Sequence, residues 1–172
     1  MMKSAHRLRS VMSLAMILMP GWGLAGSATS AFRVIATLDP TCTVQTTPAA
    51  FGHYNPITTH ATAPLEITSS VTITCSKGMA TTIGLDRGLH ADYATNTTRA
   101  MKHVLRDEYL NYELYQDSIH TTLWGTSIPH LVVPPVAVDT KPRTYLIFGR
   151  VPAGQDVSIG NYHDTIVAIV NF

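Results

Sequence analysis

Gly160-Asn-Tyr-His-Asp-Thr-Ile-Val-Ala-Ile-Val-Asn-Phe172 is the stretch that decides how the rest of the sequence is interpreted. From Thr165 to Phe172 it is rich in β-branched and apolar residues and has no Gly, Pro or charge, which predicts a strand. Apolar side chains occupy both parities, which indicates a core strand buried on both faces. Because a terminus frays unless it is docked, we expect another strand to lie beside this one.

At the opposite end, the first residues have the layout of a secretory signal peptide: a basic start, a short apolar run and a small-residue cleavage site. The basic residues are Lys3, Arg7 and Arg9. The apolar run, 11–18, is too short for a bilayer span, which needs about 20 apolar residues. We expect residues 1–31 to be removed after Ala31, with Ala25 and Ala28 as alternative cleavage positions, and the chain to be exported.

The mature chain is small and weakly acidic. Cleavage leaves residues 32–172, a length that suits one domain. It removes three of the 12 basic residues and none of the 11 acidic ones, which leaves nine against eleven and a net charge of −2. Scattered Lys and Arg do not form the basic patch that nucleic-acid binding requires. We therefore expect no nucleic-acid partner and no stable membrane insertion.

Both cysteines, Cys42 and Cys75, lie in the mature chain. Export and an even count predict one disulfide, which is worth about 3–4 kcal/mol on the chain-entropy model. The alternative, a cysteine metal site, has no C-x-x-C or His-rich spacing to support it. The sequence also has no nucleophile elbow, P-loop or histidine pair at metal-binding spacing. We expect no enzyme activity, no metal and no cofactor.

Strand patterns fill the mature chain, and none of its segments has a helical period longer than two turns. The cleanest pattern is 65–75, where one parity is apolar except for Ser69 and the other is polar, so that Cys75 points inward. Further strands are predicted within 81–88, 99–106, 109–115, 143–152 and 162–172. Short strands separated by turns predict an all-β sandwich.

The leading mature segment also alternates. Phe32, Val34, Ala36 and Leu38 share one apolar parity, which predicts a strand with one apolar face, and Pro40 ends it. The residues alone leave two interpretations open. The segment is either an ordinary first strand of the domain or a detachable strand meant for another molecule.

Eight phrases of the mature chain follow one another in the order and spacing of a known family. They are Cys42-Thr-Val44, Phe51-Gly-His-Tyr-Asn-Pro56, Val71-Thr-Ile-Thr-Cys75, Arg99-Ala-Met101, Leu110-Asn-Tyr-Glu-Leu-Tyr-Gln-Asp117, Trp124-Gly125, Phe148-Gly-Arg-Val-Pro-Ala-Gly-Gln155 and Gly160-Asn-Tyr-His-Asp-Thr165. Over about residues 32–172 the chain resembles the spore coat protein U domain family. The closing Val170-Asn-Phe172 also resembles the major subunits of archaic, Csu-type chaperone–usher pili.

The resemblance implies an immunoglobulin-like β-sandwich that lacks its final strand and is completed by donor-strand complementation, which is a form of β-strand addition. It implies a donor extension at 32–40 and a pilin domain at 41–172. The implied donor residues are Phe32, Val34, Ala36 and Leu38. The implied groove-facing and chaperone-facing residues of the C-terminal strand are Ile166, Ala168, Val170 and Phe172.

The function implied is a secreted, non-enzymatic pilin of a surface fimbria, which polymerises by donor-strand exchange and supports adhesion or biofilm formation. The implied partners are a periplasmic pilus chaperone, an outer-membrane usher and other copies of the chain, on a route from the periplasm to the cell surface. Head-to-tail donation does not close on itself and so yields a fibre. The alternatives are a self-contained spore- or cell-coat protein, a minor or tip adhesive subunit, and a small secreted lectin or hydrolase.

Overall fold

A computed structural model describes residues 26–95 and 97–172, and its regular structure is antiparallel β-sheet with two short helical turns. The strands are β1 (Cys42–Thr46), β2 (Leu65–Cys75), β3 (Thr82–Leu85), β4 (Arg99–His103), β5 (Tyr109–Tyr115), β6 (Arg143–Val151), β7 (Tyr162–His163) and β8 (Ala168–Asn171). The helical turns are α1 (Thr59–Thr62) and a 3-10 turn at Ala91–Tyr93. The predicted all-β class is confirmed.

The predicted signal peptide falls mostly on residues 1–25, which lie outside the described residues. Within the part of the chain that the structure describes, no helix has the length and apolar character needed to cross a membrane.

The strands form two sheets around one core. Six strands pair in the order β1-β2-β6-β5-β4-β7, and β3 pairs with β8 in a second, two-stranded sheet. Alternate residues of the long strands β2 and β6 point inward, as the two-residue period of a strand requires. The most deeply buried apolar residues are Val71, Ile73, Ile83, Leu85, Leu110, Tyr112, Leu114, Trp124, Ile147 and Val151.

The strand β2 is the longest strand of the larger sheet and pairs with both β1 and β6. It begins and ends where the alternation of the sequence predicts, at Leu65 and Cys75. It pairs with β1 so that Cys42 lies directly opposite Cys75, and a disulfide joins the two residues. The disulfide therefore holds β1 at the edge of the six-stranded sheet.

A buried arginine, itself paired with a glutamate, connects the two sheets. Arg99 of β4 and Glu113 of β5 are 1% and 3% exposed, and an Arg99 Nη1–Glu113 Oε1 contact joins them. The same guanidinium donates to the carbonyl oxygens of Asp86, at 2.7 Å, and Trp124, at 2.6 Å. Asp86 directly follows β3, so this one side chain ties the small sheet to the large one.

The leading segment does not form the strand that its alternation predicts. Residues 26–41 contain no helix or strand, and Phe32, Val34 and Leu38 are 88%, 82% and 87% exposed. Alternation supplies an apolar face but no backbone partner, and an extended segment is stable only as part of a sheet.

The closing segment differs from the core strand that its apolar run predicts. It forms the separate short strands β7 and β8, and β8 is paired along one edge, to β3. Ala168 and Val170 pack against the core, whereas Val167 and Ile169 are 52% and 39% exposed. In the single chain this strand is therefore half-buried on one face, because a two-stranded sheet leaves its outer face in solvent.

Candidate functional site

A groove opens over the core between two stretches of chain. Its first part has a volume of about 430 Å³ and lies between residues 46–51 and residues 162–168. Its second part has a volume of about 450 Å³ and lies between residues 49–56 and residues 157–162. The floor consists of core side chains, among them Leu85, Leu110, Tyr112, Leu114 and Ile147. We call the two parts together the core groove.

One border of the core groove is the unpaired edge of β8. In an antiparallel pair, successive residues point their N–H and C=O groups alternately toward the partner and away from it. Ile83 exchanges both of its backbone hydrogen bonds with Val132, so the backbone groups of its ladder partner Val170 point away from β3. By the same alternation those of Ala168 also face outward. Within 26–95 and 97–172, no hydrogen bond satisfies them.

The other border is the unpaired edge of β1. The N–H of Thr47 donates to the carbonyl oxygen of Ser70, and the carbonyl oxygen of Thr41 accepts from the N–H of Ser76. The backbone groups of the odd-numbered residues in this segment therefore point toward β2. The backbone groups of Val44 and Thr46 consequently point outward, to the free edge. Where β1 and β8 border the first part of the groove, at Thr46 and Ala168, outward-facing backbone donors and acceptors thus lie beside an apolar floor.

This arrangement can bind an extended segment. A strand placed in the groove would lie about 4.8 Å from each border, which corresponds to about 9–10 Å between β1 and β8. Some Cα atoms of β1 and β8 approach within 8 Å of each other in the single chain. An inserted strand would therefore move β1 and β8 apart by a few ångströms and fill the cleft beyond them.

A buried carboxylate fixes the groove wall between β7 and β8. Asp164 is 2% exposed and accepts hydrogen bonds from the Tyr112 hydroxyl, at 2.8 Å, and the Leu89 N–H, at 2.9 Å. The Nδ1 of His90 lies 3.1 Å from the same carboxylate. Burial, together with the bond to Asp164, holds the pKa of Tyr112 above its ordinary value. Gly88, at φ +77°, allows this approach because a Cβ there would overlap Asp164.

A second carboxylate fixes the same wall further along. Glu108 accepts the backbone N–H and the hydroxyl of Ser158, both at 2.8 Å. These bonds, the backbone one first, hold the pKa of Glu108 below its ordinary value. A lowered carboxyl pKa stabilises the folded state above the ordinary value, and this contribution is lost as the pH falls through the lowered one. The hydroxyl of Tyr162 completes the contact by donating to the carbonyl oxygen of Ser158, at 2.8 Å.

Of the four predicted site residues in the C-terminal strand, two line the core groove and two do not. Ile166 and Ala168 line the core groove. Val170 packs against the core opposite Ile83, beyond the groove lining. Phe172 follows the end of β8 and is 61% exposed.

The important residues that sequence reasoning missed are charged groups inside the fold. Arg99, Glu113 and Asp164 occupy positions that the strand pattern assigns to a polar face or a strand start, yet all three are buried. An Arg and a Glu with Cα atoms on adjacent antiparallel strands form a recognisable pair only once the register of β4 and β5 is known.

The described residues contain no group of three His, Cys, Asp or Glu side chains that could hold a metal ion. The core groove is lined mainly by apolar and hydroxyl-bearing residues, together with His53, Asn161, His163 and one carboxylate, that of Asp164. Its chemistry is therefore that of backbone pairing and apolar burial.

Comparisons with known proteins agree with this picture. A family model described as the Spore Coat Protein U domain matches residues 28–169. Protein U of Myxococcus xanthus is 29% identical over 162 residues, which covers 86% of this chain and 87% of that protein.

The chain is also similar to a chain in a solved crystal structure. That structure is the CsuC-CsuE chaperone-tip adhesion subunit pre-assembly complex from archaic chaperone-usher Csu pili of Acinetobacter baumannii. The TM-score is 0.59 at 21% identity, and the match covers 79% of this chain and 41% of the other. This chain thus spans about two-fifths of that neighbour. The likeness confirms the predicted immunoglobulin-like fold class.

Proposed function

Because the chain belongs to the spore coat protein U domain family, and because its sandwich has a groove between two open strand edges, we propose that it is a pilin-like structural subunit. The core groove of one copy receives residues 32–38 of the next copy, and repetition of this step produces a head-to-tail fibre. The protein acts by assembly and not by catalysis.

One observation carries this proposal: the exposed leading segment has apolar side chains and unpaired backbone groups that match the apolar floor and the free strand edges of the groove. Phe32, Val34 and Leu38 are more than 80% exposed, and burial of each such side chain contributes about 1.5–3 kcal/mol. The segment's own backbone groups can pair with those at the free edges of β1 and β8. Its other parity carries Arg33 and Thr37, with Ile35 as the apolar exception, and these side chains would remain in solvent.

The route to the fibre follows from the same groove. An open sheet edge invites pairing with other chains and aggregation, so a subunit of this kind needs a temporary partner strand before assembly. The structural neighbour comes from a chaperone complex, which supports a periplasmic chaperone as the first occupant and an outer-membrane usher as the site of exchange. The fibre would then lie on the cell surface and support adhesion or biofilm formation.

The family description favours one further candidate, a spore- or cell-coat protein that folds and packs alone. Such a protein gains nothing from an unpaired β8 edge or an exposed alternating leader. The two candidates differ in whether purified chains form a fibre through residues 32–38.

A pair of matched substitutions tests the proposed function. Val34→Asp places a charge on the apolar parity of the leading segment, and we expect it to abolish fibres because a carboxylate cannot be buried in an apolar groove. Ile35→Asp places the same charge one residue away, on the opposite parity, and we expect fibres to form as in the wild type. Sedimentation velocity and electron microscopy of the purified exported chain measure the outcome.

Both variants replace one exposed β-branched apolar residue with aspartate, so a general effect of the added charge on solubility would be the same for both. Equal assembly of Val34→Asp and Ile35→Asp, whether intact or lost, would contradict donation of an alternating strand. A wild-type chain that forms no fibre at any concentration would support the coat candidate.

A further inference from the structure

One buried position interrupts the apolar face of β2. Ser69 is the only polar residue on the inward-pointing parity of that strand, and it is 5% exposed. It lies opposite Ile147 of β6, and both residues line the first part of the core groove. Because a buried hydroxyl costs free energy unless it is hydrogen-bonded, the partners of this hydroxyl indicate its role.

The hydroxyl of Ser69 holds the residue that directly follows β1. It donates to the carbonyl oxygen of Thr47, at 2.6 Å, and the hydroxyl oxygens of the two residues are 2.9 Å apart. The Oγ1 of Thr47 in turn accepts the backbone N–H of Ser70, at 2.9 Å. We call these three hydrogen bonds, which join Thr47 to the Ser69 side chain and the Ser70 backbone, the hydroxyl clasp.

The hydroxyl clasp replaces one bond of the sheet ladder. The register of β1 and β2, continued by one residue, places Thr47 opposite Ser70, and a hydrogen-bonded pair in an antiparallel sheet exchanges two backbone bonds. The Thr47 N–H donates to the carbonyl oxygen of Ser70, at 3.0 Å, but the Ser70 N–H donates to the Thr47 hydroxyl instead of its carbonyl oxygen. The chain therefore leaves β2 at this residue, directly before Pro48, which has no N–H to continue the ladder.

The groove wall that follows the hydroxyl clasp depends on it. Residues 48–51 line the core groove, and within 26–95 and 97–172 their backbone groups form no hydrogen bond. The segment is fixed at its start by the clasp and at its end by the Phe51 ring, which packs edge-on against Tyr112 with ring centres 5.9 Å apart. The direction in which the chain leaves Thr47 therefore determines where this wall can pair with an incoming strand.

Resting on the proposed function, we propose that Ser69 is a positioning residue for the donated strand, because its hydroxyl sets the course of the groove wall. Without this hydroxyl the carbonyl oxygen of Thr47 loses its partner, and its partner in a regular ladder is the N–H of Ser70. The Thr47 peptide group then rotates toward β2 and draws Pro48 and Ala49 with it. The wall moves out of line with the incoming strand, and the strand binds more weakly.

Binding of a fluorescent peptide of residues 31–40 to the intact chain tests this role, with anisotropy measured at concentrations where the chain is monomeric. Ser69→Thr and Ser69→Val add nearly the same bulk, and only the threonine keeps the hydroxyl. We expect the Ser69→Val chain to bind the peptide at least about fivefold more weakly than the Ser69→Thr chain, which corresponds to about one hydrogen bond. As a control, Thr72→Val removes a hydroxyl bond to Thr144 on the outward parity of β2, and peptide binding should stay within about twofold of the wild type.

A second pair of variants and a structural readout separate positioning from stability. Thr47 is exposed, so Thr47→Val and Thr47→Ser should both fold, and only Thr47→Val, which removes Oγ1, should weaken peptide binding. In NMR spectra, the backbone amide signals of Ala49 and Phe51 should shift in Ser69→Val and Thr47→Val but not in Thr72→Val.

Equal peptide binding by Ser69→Thr and Ser69→Val would overturn the inference, and so would a Ser69→Val chain that is less stable but binds as well as the wild type. If Ser69→Val does not fold, equal binding by Thr47→Ser and Thr47→Val overturns it. A wild-type chain that does not bind the peptide would overturn the proposed function together with this inference, so the two failures are distinguishable.

Discussion

Replacing Glu113 by alanine is expected to lower the free energy of unfolding by about 3–5 kcal/mol, the cost of leaving one member of a buried ion pair without its partner. The loss is large because Arg99 remains 1% exposed with its charge unneutralised. Glu113 also accepts the backbone N–H of Thr98, at 2.8 Å, which would be left unsatisfied. Urea unfolding of the oxidised monomer measures the change.

The exposed pair of Lys102 and Asp107 provides a matched control, with Nζ and Oδ1 3.4 Å apart. Lys102 belongs to β4, and Asp107 lies in the connection between β4 and β5. Asp107→Ala should change the free energy of unfolding little, because solvent screens this pair. Replacement of both buried partners, as in Arg99→Met with Glu113→Leu, should recover much of the stability lost by Glu113→Ala. A Glu113→Ala chain as stable as the Asp107→Ala chain would show that the buried ion pair does not stabilise the fold.

Replacing both Cys42 and Cys75 by alanine is expected to cost about 3–4 kcal/mol, because the disulfide closes a loop across 33 positions and restricts the unfolded chain. The same bond holds β1 against β2, so its loss should also weaken one border of the core groove. Equilibrium unfolding of the double variant and of the wild type measures the change in the free energy of unfolding.

Reduction of the wild-type disulfide provides the control for this prediction. The reduced wild type and the double alanine variant should unfold at similar denaturant concentrations, since both lack the same covalent link. If the double variant is as stable as the oxidised wild type, the disulfide contributes nothing to the fold.

Much of the sheet could be predicted because apolar and polar residues alternate along its strands, and this alternation shows which side chains are buried. The pattern of 65–75 predicts both ends of β2, and 109–115 coincides with β5. The inward direction of Cys75 follows from the same parity and is what allows it to meet Cys42. Family resemblance added the overall architecture, which local patterns could not assemble alone.

Three features could not be predicted, for separate physical reasons. Burial of Arg99 and Glu113 depends on a register between two strands, which a local pattern does not contain. His60 and His103 are buried although a histidine in a turn or near a strand end is usually exposed, because each ring accepts a backbone N–H next to its own strand or turn. The one-turn helix α1 is too short to show a helical period.

The two ends of the mature chain show how an apolar pattern can be misread within a single molecule. Residues 32–38 have the alternation of a strand, and residues 165–172 have the composition of a core strand. In the single chain, however, the first segment forms no strand and is exposed, and the second contains the edge strand β8. On the proposed function, both patterns describe the assembled fibre, where each segment has a neighbour from another copy.

Backbone hydrogen exchange at Ile166 and Ala168 tests the central claim most directly, because both residues line the core groove and the amide of Ala168 faces its open edge. In the free monomer they should exchange quickly, and in the presence of saturating peptide 31–40, or in the fibre, they should become strongly protected. The amide of Ile169, which faces β3, should be protected in every state and serves as the internal reference. Ile166 and Ala168 amides that are equally protected with and without the peptide or the fibre would contradict the claim that a strand from a second copy completes this sandwich.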